Sequence, residues 1–240
     1  MFDIFIKRST INIDCFTANP GIFTHHPIVL ASEAIPTWWK TMKGTVDVER
    51  FGVRHEAATI KRCDGIIGLY KHGICVPLWS DLIIETNKEG EFRYLYSSEE
   101  NPAINTHFKN QFNEHFNNLI HIKIQSPWLV EEKTGIEFHF NQASWSLLDQ
   151  SYHMNIVPAI INFKDQSSTH INLFMPKKEN RIELSAGQSM LHIVPLSDKK
   201  IVLKNHLISE DEHKQKMLAY SYMSSFIGRY KKLKKASNGR

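Results

Sequence analysis

Residues 155–208 read NIVPAIINFKDQSSTHINLFMPKKENRIELSAGQSMLHIVPLSDKKIVLKNHLI, and this stretch decides the fold class. Runs rich in Ile, Val, Leu and Phe are separated there by Pro, Gly, Ser, Asn and Asp. This pattern is typical of short β-strands. It predicts strands over residues 156–163, 170–175, 181–184, 190–195 and 199–207. Such closely spaced strands favour a sandwich or barrel over a parallel sheet with crossover helices.

The rest of the chain adds strands and a few helices. Alternating apolar residues predict strands over 11–16, 121–125 and 136–140, and a long strand over 74–86 that Gly90 joins by a hairpin to 91–96. Helical signals lie over 27–34, 63–73 and 101–119, and Ser209 with Glu212 forms a capping-box pattern before a last helix.

These signals predict a mainly β fold, of the β-sandwich, jelly-roll or clip-like kind, with a few short helices and a C-terminal helix. Residues 1–208 are expected to form a single β-rich domain, and residues 209–240 an amphipathic helix and a basic tail. No repeat or flexible linker divides the chain.

Composition narrows the class of protein. The 240 residues are 42% hydrophobic and 22% charged, which is enough apolar material for a packed core. No run approaches the roughly 18 apolar residues of a membrane span, and the first residues do not match a signal peptide. Three cysteines without a CxxC pair suggest neither a disulfide framework nor a thiolate zinc site. We expect a cytoplasmic protein without a membrane partner.

Positive charge is concentrated at the C-terminal end. The tail RYKKLKKASNGR, from Arg229 to Arg240, holds six of the 29 Lys and Arg residues and no acidic residue, which leaves 23 basic against 25 acidic residues elsewhere. Such a tail is able to bind nucleic acid by counterion release. The alternative is that its lysines solvate a helix end and complement the helix dipole.

Two adjacent tryptophans follow a proline in PTWWK, residues 36–40. Neighbouring residues of an extended chain point to opposite sides. We therefore expect one of Trp38 and Trp39 to be buried and the other to be available to a partner. A structural role for both rings is the alternative.

Trp79 and Asp81 lie in ICVPLWSDLIIET, residues 74–86, where the carboxylate interrupts an apolar run. A carboxylate buried there must find hydrogen-bond donors. Backbone amides, Arg54 or Arg62 are the expected donors, and the alternative is a polar group in a pocket beside Trp79. Both Trp79 and Asp81 are kept as candidate binding residues.

Thirteen histidines invite a metal hypothesis, although no HxH or HExxH spacing occurs. His170 and His192 are the weak candidates, because each enters an apolar strand. If those strands adjoin, Glu183 or Asp165 could complete a site, and buried core histidines are the alternative. No nucleotide-binding glycine loop and no nucleophile motif occurs, so the sequence assigns no cofactor.

Several segments together resemble an uncharacterised family found in tailed-phage genomes, especially cyanophages, and in some bacteria. They are PTWWK (36–40), TIKRCDGIIGLYKHGICVPLWSDLII (59–84), KIQSPW (123–128), PAIINFKDQSSTHINLFMPKK (158–178) and AGQSMLHIVPLSDKK (186–200). The resemblance implies no activity. For a phage-encoded protein it implies the cytoplasm of the host cell.

The order of the C-terminal segments is also similar to the layout of the deoxyuridine triphosphatase and dCTP deaminase fold. AIIN, residues 159–162, corresponds to a G-V-I-D turn, and GQSMLHIV, residues 187–194, to a later strand. Asn162 stands at the position of the catalytic aspartate. The likeness therefore implies fold alone, with Asn162 as a candidate binding residue.

Three functional hypotheses follow from the sequence. The first is a binding or assembly module without catalytic activity, with a protein partner or with itself. The second is a metal-dependent or nucleotide-directed enzyme on a double-stranded β-helix or clip-like fold, using His170, His192 and Asp81. The third is nucleic-acid binding through residues 229–240.

Overall fold

A computed structural model of the protein describes residues 10–97, 103–106 and 116–223, with side chains as far as residue 219. Strands predominate, and helices are few and short. The helices are α1 (Pro20–His25), α2 (Thr37–Thr41), α3 (Asp64–Lys71) and α4 (Glu210–Met223), with 3-10 turns at Ile60–Arg62 and Ser144–Ser146. The strands are β1 (Thr10–Thr17), β2 (Val29–Leu30), β3 (Thr45–Arg50), β4 (Val53–Ala58), β5 (Ile74–Pro77), β6 (Leu82–Thr86), β7 (Phe92–Tyr96), β8 (Ile104–Asn105), β9 (Leu119–Ile124), β10 (Leu129–Glu131), β11 (Glu137–Gln142), β12 (Asn155–Ile156), β13 (Ala159–Asn162), β14 (Ile171–Pro176), β15 (Asn180–Leu184), β16 (Ser189–Pro195) and β17 (Lys200–Leu207).

The strands form a five-stranded sheet (β13-β11-β16-β5-β2), a four-stranded sheet (β12-β14-β9-β8), two three-stranded sheets (β10-β1-β17 and β15-β6-β7) and the isolated pair β3-β4. Strands β1 and β17 pair in parallel over eight positions, from Thr10 with Lys200 to Thr17 with Leu207. The other strand pairs in the described residues are antiparallel. The mainly β prediction is confirmed.

One hydrophobic core joins the four larger sheets. Ile13, Ile84, Ile122 and Ile193 come from one sheet each, and all four side chains are fully buried in the same cluster. Burial of each such side chain contributes about 1.5–3 kcal/mol. The pair β3-β4 places no residue in this core.

The expected long strand over residues 74–86 is wrong, because the chain changes sheet in its middle. Strand β5 pairs with β16 in the five-stranded sheet, whereas β6 pairs with β15 in another sheet. Leu78 holds this corner, since its N–H donates to the Gln188 carbonyl at 2.8 Å and its carbonyl accepts from the Gly187 N–H at 2.7 Å. The register also shifts between Ser189 and Leu191, and such bulges bend a ladder from one sheet into the next.

The expected strand over residues 156–163 is likewise divided. Strand β12 pairs with β14 in the four-stranded sheet, and β13 pairs with β11 in the five-stranded sheet. Pro158 lies between them and has no N–H to donate to a ladder. The other four strands of residues 155–208 agree with the prediction within two residues.

Two helix predictions need correction. The helix expected over residues 27–34 is wrong, because that segment holds the short strand β2 and turns. The helix in this region, α1, ends before it at His25 and is capped by the Asn19 side chain, which accepts from the Ile22 N–H. Of the helix expected over 101–119, residues 101–102 and 107–115 lie outside the described residues, and Ile104–Asn105 is a strand. Helix α3 is confirmed. Gly73, which follows it, has a φ of +112 and lies so close to the Ile193 carbonyl that any side chain at this position would clash.

Helix α4 begins as the capping box predicts, with the Ser209 hydroxyl accepting from the Glu212 N–H at 3.2 Å. Lys216 fixes the helix to the sheet edge, because its Nζ donates to Glu131 at 2.8 Å and lies 4.1 Å from the centre of the Phe16 ring. Residues 224–240, including the whole basic tail, lie outside the described residues. In the described part of the chain, no helix is long and apolar enough to cross a bilayer.

Candidate binding surface

Strands β3 and β4 form a two-stranded ribbon, residues 45–58, that stands apart from the other sheets. Phe51 and Gly52 make its two-residue turn, with φ values of +53 and +75. Two positive φ angles match a type I′ turn, whose twist suits a β-hairpin. Neither strand pairs with another strand in the described residues. The ribbon therefore has two open edges.

The ribbon exposes apolar side chains that the rest of the fold does not cover. Phe51 at the apex is fully exposed, Val53 is 64% exposed and Val46 is 50% exposed. An isolated two-stranded hairpin is at best marginally stable in water, and it gains stability from a third strand or a packed face. Phe51 and Val53 are exposed together at the apex, and clusters of exposed apolar residues mark interaction sites. This ribbon has the features of a surface that a partner covers.

The charges on the ribbon are arranged unfavourably within a single chain. Asp47 lies directly opposite Glu56, on the same face of the antiparallel pair. Like charges at directly opposite positions destabilise a sheet. On the same face, Glu49 lies opposite Arg54, which is a favourable pair. Asp47 and Glu56 therefore both lack an oppositely charged partner across the ribbon.

Trp38 anchors the base of the ribbon to the body of the fold. Its indole N–H donates to the Trp145 carbonyl at 3.2 Å, and the two rings are 5.9 Å apart. Trp39 packs on Tyr70 with ring centres 6.4 Å apart. The two tryptophans lie on helix α2 and not in an extended segment, so both are half-buried and neither is fully buried. Both rings have packing contacts within the fold, as the structural alternative expects, and a binding role for either stays a prediction.

Hydrogen bonds close the other side of the base. Lys61 Nζ donates to the carbonyls of Lys40 and Met42, each at 2.8 Å. The Thr59 hydroxyl donates to the Lys43 carbonyl at 2.6 Å, and the Thr59 N–H donates to the Gly44 carbonyl at 3.0 Å. These bonds join residues 40–44, which lead into the ribbon, to residues 59–61, which follow it, and so hold its two ends together.

Trp79 and Asp81 lie at the corner between β5 and β6, away from any regular strand. Asp81 is exposed, and its Oδ1 accepts from the Ala186 N–H at 2.8 Å. Trp79 is 4% exposed within the core. Asp81 therefore has the backbone-amide partner that the sequence suggested first, and it holds the two chain segments of the corner together.

The two histidine candidates lie at different sheets, His170 just before β14 and His192 within β16, and both contact backbone groups. His170, before β14, accepts from the Ser126 N–H at Nδ1, at 3.0 Å. Burial, together with the positive charge of Lys123, lowers the pKa of His170 to about 4. His192, in β16, is buried against the Tyr70 ring with its Nε2 3.4 Å from the His72 carbonyl. Burial lowers the His192 pKa, and backbone hydrogen bonds oppose that shift.

A metal centre is not assembled from these histidines in the described residues, where no group of three or more His, Cys, Asp or Glu side chains is placed to hold an ion. Glu183 instead forms an ion pair with Arg181 at 2.8 Å. Asn162, the other sequence candidate, uses both ends of its carboxamide in a turn. Its Nδ2 donates to the Gly135 carbonyl at 3.2 Å, and its Oδ1 accepts from the Lys164 N–H at 3.0 Å.

A cleft of about 560 Å³ lies beside strands β6, β7 and β15. Its two arginines are already paired, Arg181 with Glu85 at 2.7 Å and Arg93 with the other oxygen of the same carboxylate. Glu91 and Glu179 add further negative charge to the lining. The cleft therefore offers no unpaired cationic site for an anionic ligand.

The ribbon is the feature that the sequence hypotheses missed. Its signal is the alternation in TVDVER (45–50) and VRHEAA (53–58) on either side of Phe51-Gly52. The usual I′ turn pairs are Asn-Gly and Asp-Gly, so Phe-Gly does not stand out as a hairpin signal. Mixed charge within both strands further weakens the apolar periodicity.

Neither a protein-family model nor a curated protein sequence matches the chain. The resemblance to the tailed-phage family and the similarity to the triphosphatase layout stay predictions from the sequence.

Proposed function

We propose that this protein is an assembly module without catalytic activity, and that it binds a protein partner through the ribbon, residues 45–58. The observation that carries this proposal is the exposed apolar apex on a two-stranded ribbon with open edges. A phage origin, which the sequence resemblance implies, belongs to the same proposal.

Phe51 supports an interaction role through its backbone conformation. A bulky residue at positive φ is a conformational outlier that costs about 1–2 kcal/mol relative to Gly or Asn. Phe51 combines this cost with complete exposure of an aromatic ring. Such outliers persist where the residue has a function, and aromatic side chains are common anchors in interfaces.

The charge of the ribbon favours a protein over nucleic acid. Three acidic residues, Asp47, Glu49 and Glu56, outnumber the two arginines, Arg50 and Arg54. Nucleic-acid surfaces are instead recognised by an excess of positive charge. The basic tail is a separate hypothesis, and removal of residues 229–240 tests it: binding to duplex DNA should disappear with the tail and should fall steeply with salt.

The polar candidates from the sequence support the non-catalytic part of the proposal. Asp81, Asn162 and His170 each use a polar atom to fix a corner or a turn of the backbone. A catalytic acid or base needs a polar atom directed at a substrate. These three side chains act instead on the fold.

The test compares a double variant at the ribbon, Phe51→Ser with Val53→Ser, against a control at exposed leucines elsewhere, Leu148→Ser with Leu196→Ser. Partners retained by each protein from a native lysate are identified by mass spectrometry, and self-association is measured by light scattering. We expect the ribbon variant alone to lose a specific partner or self-association. Equal retention by the wild type and both variants would overturn the proposal.

A further inference from the structure

We infer that the partner of the ribbon is a second copy of this chain, and that the two β4 strands pair antiparallel about a twofold axis at His55. The inference rests on the proposed function and names its partner. The result is a four-stranded sheet across two molecules. It follows from the open edge, the charge order and the apolar face of the ribbon.

The backbone of β4 is prepared for such pairing. Arg50 and Val53 close the two-residue turn, so they form a hydrogen-bonded pair, and the pairs then alternate along the ribbon. The N–H and C=O groups of Arg54, Glu56 and Ala58 consequently point away from β3. Pairing centred on His55 places Arg54 of each copy opposite Glu56 of the other, where these outward groups form mutual hydrogen bonds.

This register gives Glu56 the oppositely charged cross-strand neighbour that it lacks within its own ribbon. Glu56 lies opposite Asp47 within its own chain, and the twofold register places Arg54 of the second copy on its other side. The symmetry repeats this pair, so the interface gains two cross-strand Arg-Glu pairs. Opposite-charge pairs stabilise a sheet at directly opposed positions. Each Glu56 then lies between Asp47 of its own chain and Arg54 of the second copy, and each Arg54 lies between Glu49 and the second copy's Glu56.

Self-pairing of strand β3 is unfavourable in the two registers centred on its acidic middle, at Asp47 and at Val48. A twofold axis at Asp47 would place that carboxylate against its own copy, and an axis at Val48 would place Asp47 against Glu49. Each register creates like-charge pairs. The sequence of β4, Val-Arg-His-Glu-Ala, is instead complementary to its own reverse.

The apolar side chains also meet in this arrangement. Val53 lies opposite Ala57 of the second copy, and Val46 and Val48 are on the same face of the ribbon. The register directs each Phe51 apex towards the base of the partner's ribbon, where Ile60 is 37% exposed. The shared face, which also carries Arg50 and His55, thereby brings the apolar residues of four strands together, and sheets of three or more strands are more stable than an isolated pair.

Charge exchange in the full-length chain tests the inference by analytical ultracentrifugation. Glu56→Arg relieves the repulsion from Asp47 within the ribbon but places arginine against Arg54 of the second copy. Arg54→Glu combined with Glu56→Arg restores opposite charges across the interface. We expect a dimeric wild type, a dissociation constant raised on the order of 10-fold or more in Glu56→Arg, and recovery in the double variant.

A wild type that stays monomeric would overturn the inference. If the Phe51→Ser and Val53→Ser variant then still loses a different protein partner, the proposed function stands and only the identity of the partner is wrong. A dimer that is equally tight in Glu56→Arg would overturn the β4 register. Species larger than a dimer would also contradict it, because twofold pairing closes the assembly.

Discussion

Phe51 combines two features at the residue scale that each disfavour it in an isolated monomer, namely a left-handed backbone and a solvent-exposed ring. Asparagine tolerates this conformation far better than phenylalanine. In the Glu56→Arg background, at concentrations below its dimer dissociation constant so that it is monomeric, we expect Phe51→Asn to increase the free energy of unfolding by about 1 kcal/mol. In the wild-type background, the same change should weaken dimerisation. Urea unfolding and sedimentation measure the two effects.

Phe51→Leu is the matched control, since leucine keeps an apolar apex and the same unfavourable backbone. It should leave the free energy of unfolding unchanged and should retain more of the dimer than Phe51→Asn. A Phe51→Asn variant with lower stability in the monomeric background would contradict the role assigned to the turn conformation.

His170 predicts a pH dependence of stability. Its pKa is about 4 in the folded protein, whereas an unfolded histidine has a pKa near 6.5. Because the folded pKa is depressed, the neutral histidine contributes its full stability above pH 6.5. That contribution is lost as the pH falls from 6.5 to 4, by up to about 3 kcal/mol. Urea unfolding at several pH values measures the loss.

His170→Gln keeps a carbonyl oxygen that is able to accept from the Ser126 N–H and removes the titrating ring. We expect this variant to lose less stability than the wild type between pH 6.5 and pH 4. His192 and His213 also have lowered pKa values and remain in both proteins, so the difference between the two curves isolates His170. Parallel curves would show that His170 is not held neutral by its surroundings.

At the scale of the elements, the sequence predicts a strand well when the strand stays in one sheet. It fails where backbone hydrogen bonds divide one apolar segment between two sheets. The apolar pattern predicts strands β14 to β17 because each of them stays in one sheet along its whole length. Residues 74–86 have equally strong β propensity, but their partner segment 180–195 bends with them at the Leu78 corner. Only the distant Gln188 and Gly187 reveal that bend, so a local pattern does not contain it.

The ribbon gives an element-scale prediction from the direction of its N–H groups. The Glu56 N–H points outward, so Glu56→Pro removes a donor from the dimer edge while the ladder to β3 stays intact. The His55 N–H points towards Val48, so His55→Pro breaks the ribbon itself. We expect both variants to be monomers. With Glu56→Arg as the reference, amide exchange over residues 45–58 should be faster in His55→Pro and unchanged in Glu56→Pro. Dimers of Glu56→Pro would contradict the assigned edge.

The whole molecule separates a packed body from a projecting ribbon. Apolar periodicity predicts the body because burial and alternation coincide, as in Ile171–Pro176. It does not predict the ribbon, since the alternation there serves a face that this chain leaves exposed. Among the sequence candidates, Trp38 and Trp39 lie at the ribbon base, where they position it, while Asp81, Asn162 and the histidines maintain the backbone of the body.

Disulfide trapping at the twofold axis is the most direct test that the ribbon pairs with a second copy through β4. His55 would face its own copy in a non-hydrogen-bonded pair, in which Cβ atoms approach closely enough for a disulfide. Of the native cysteines, Cys15 and Cys75 are buried and Cys63 is exposed, so the background is Cys63→Ser. In that background, His55→Cys should oxidise rapidly to a covalent dimer, whereas Asp47→Cys on β3, the outer strand of the four-stranded sheet, should stay monomeric. Equal trapping of the two variants, or none at position 55, would contradict the β4-paired dimer.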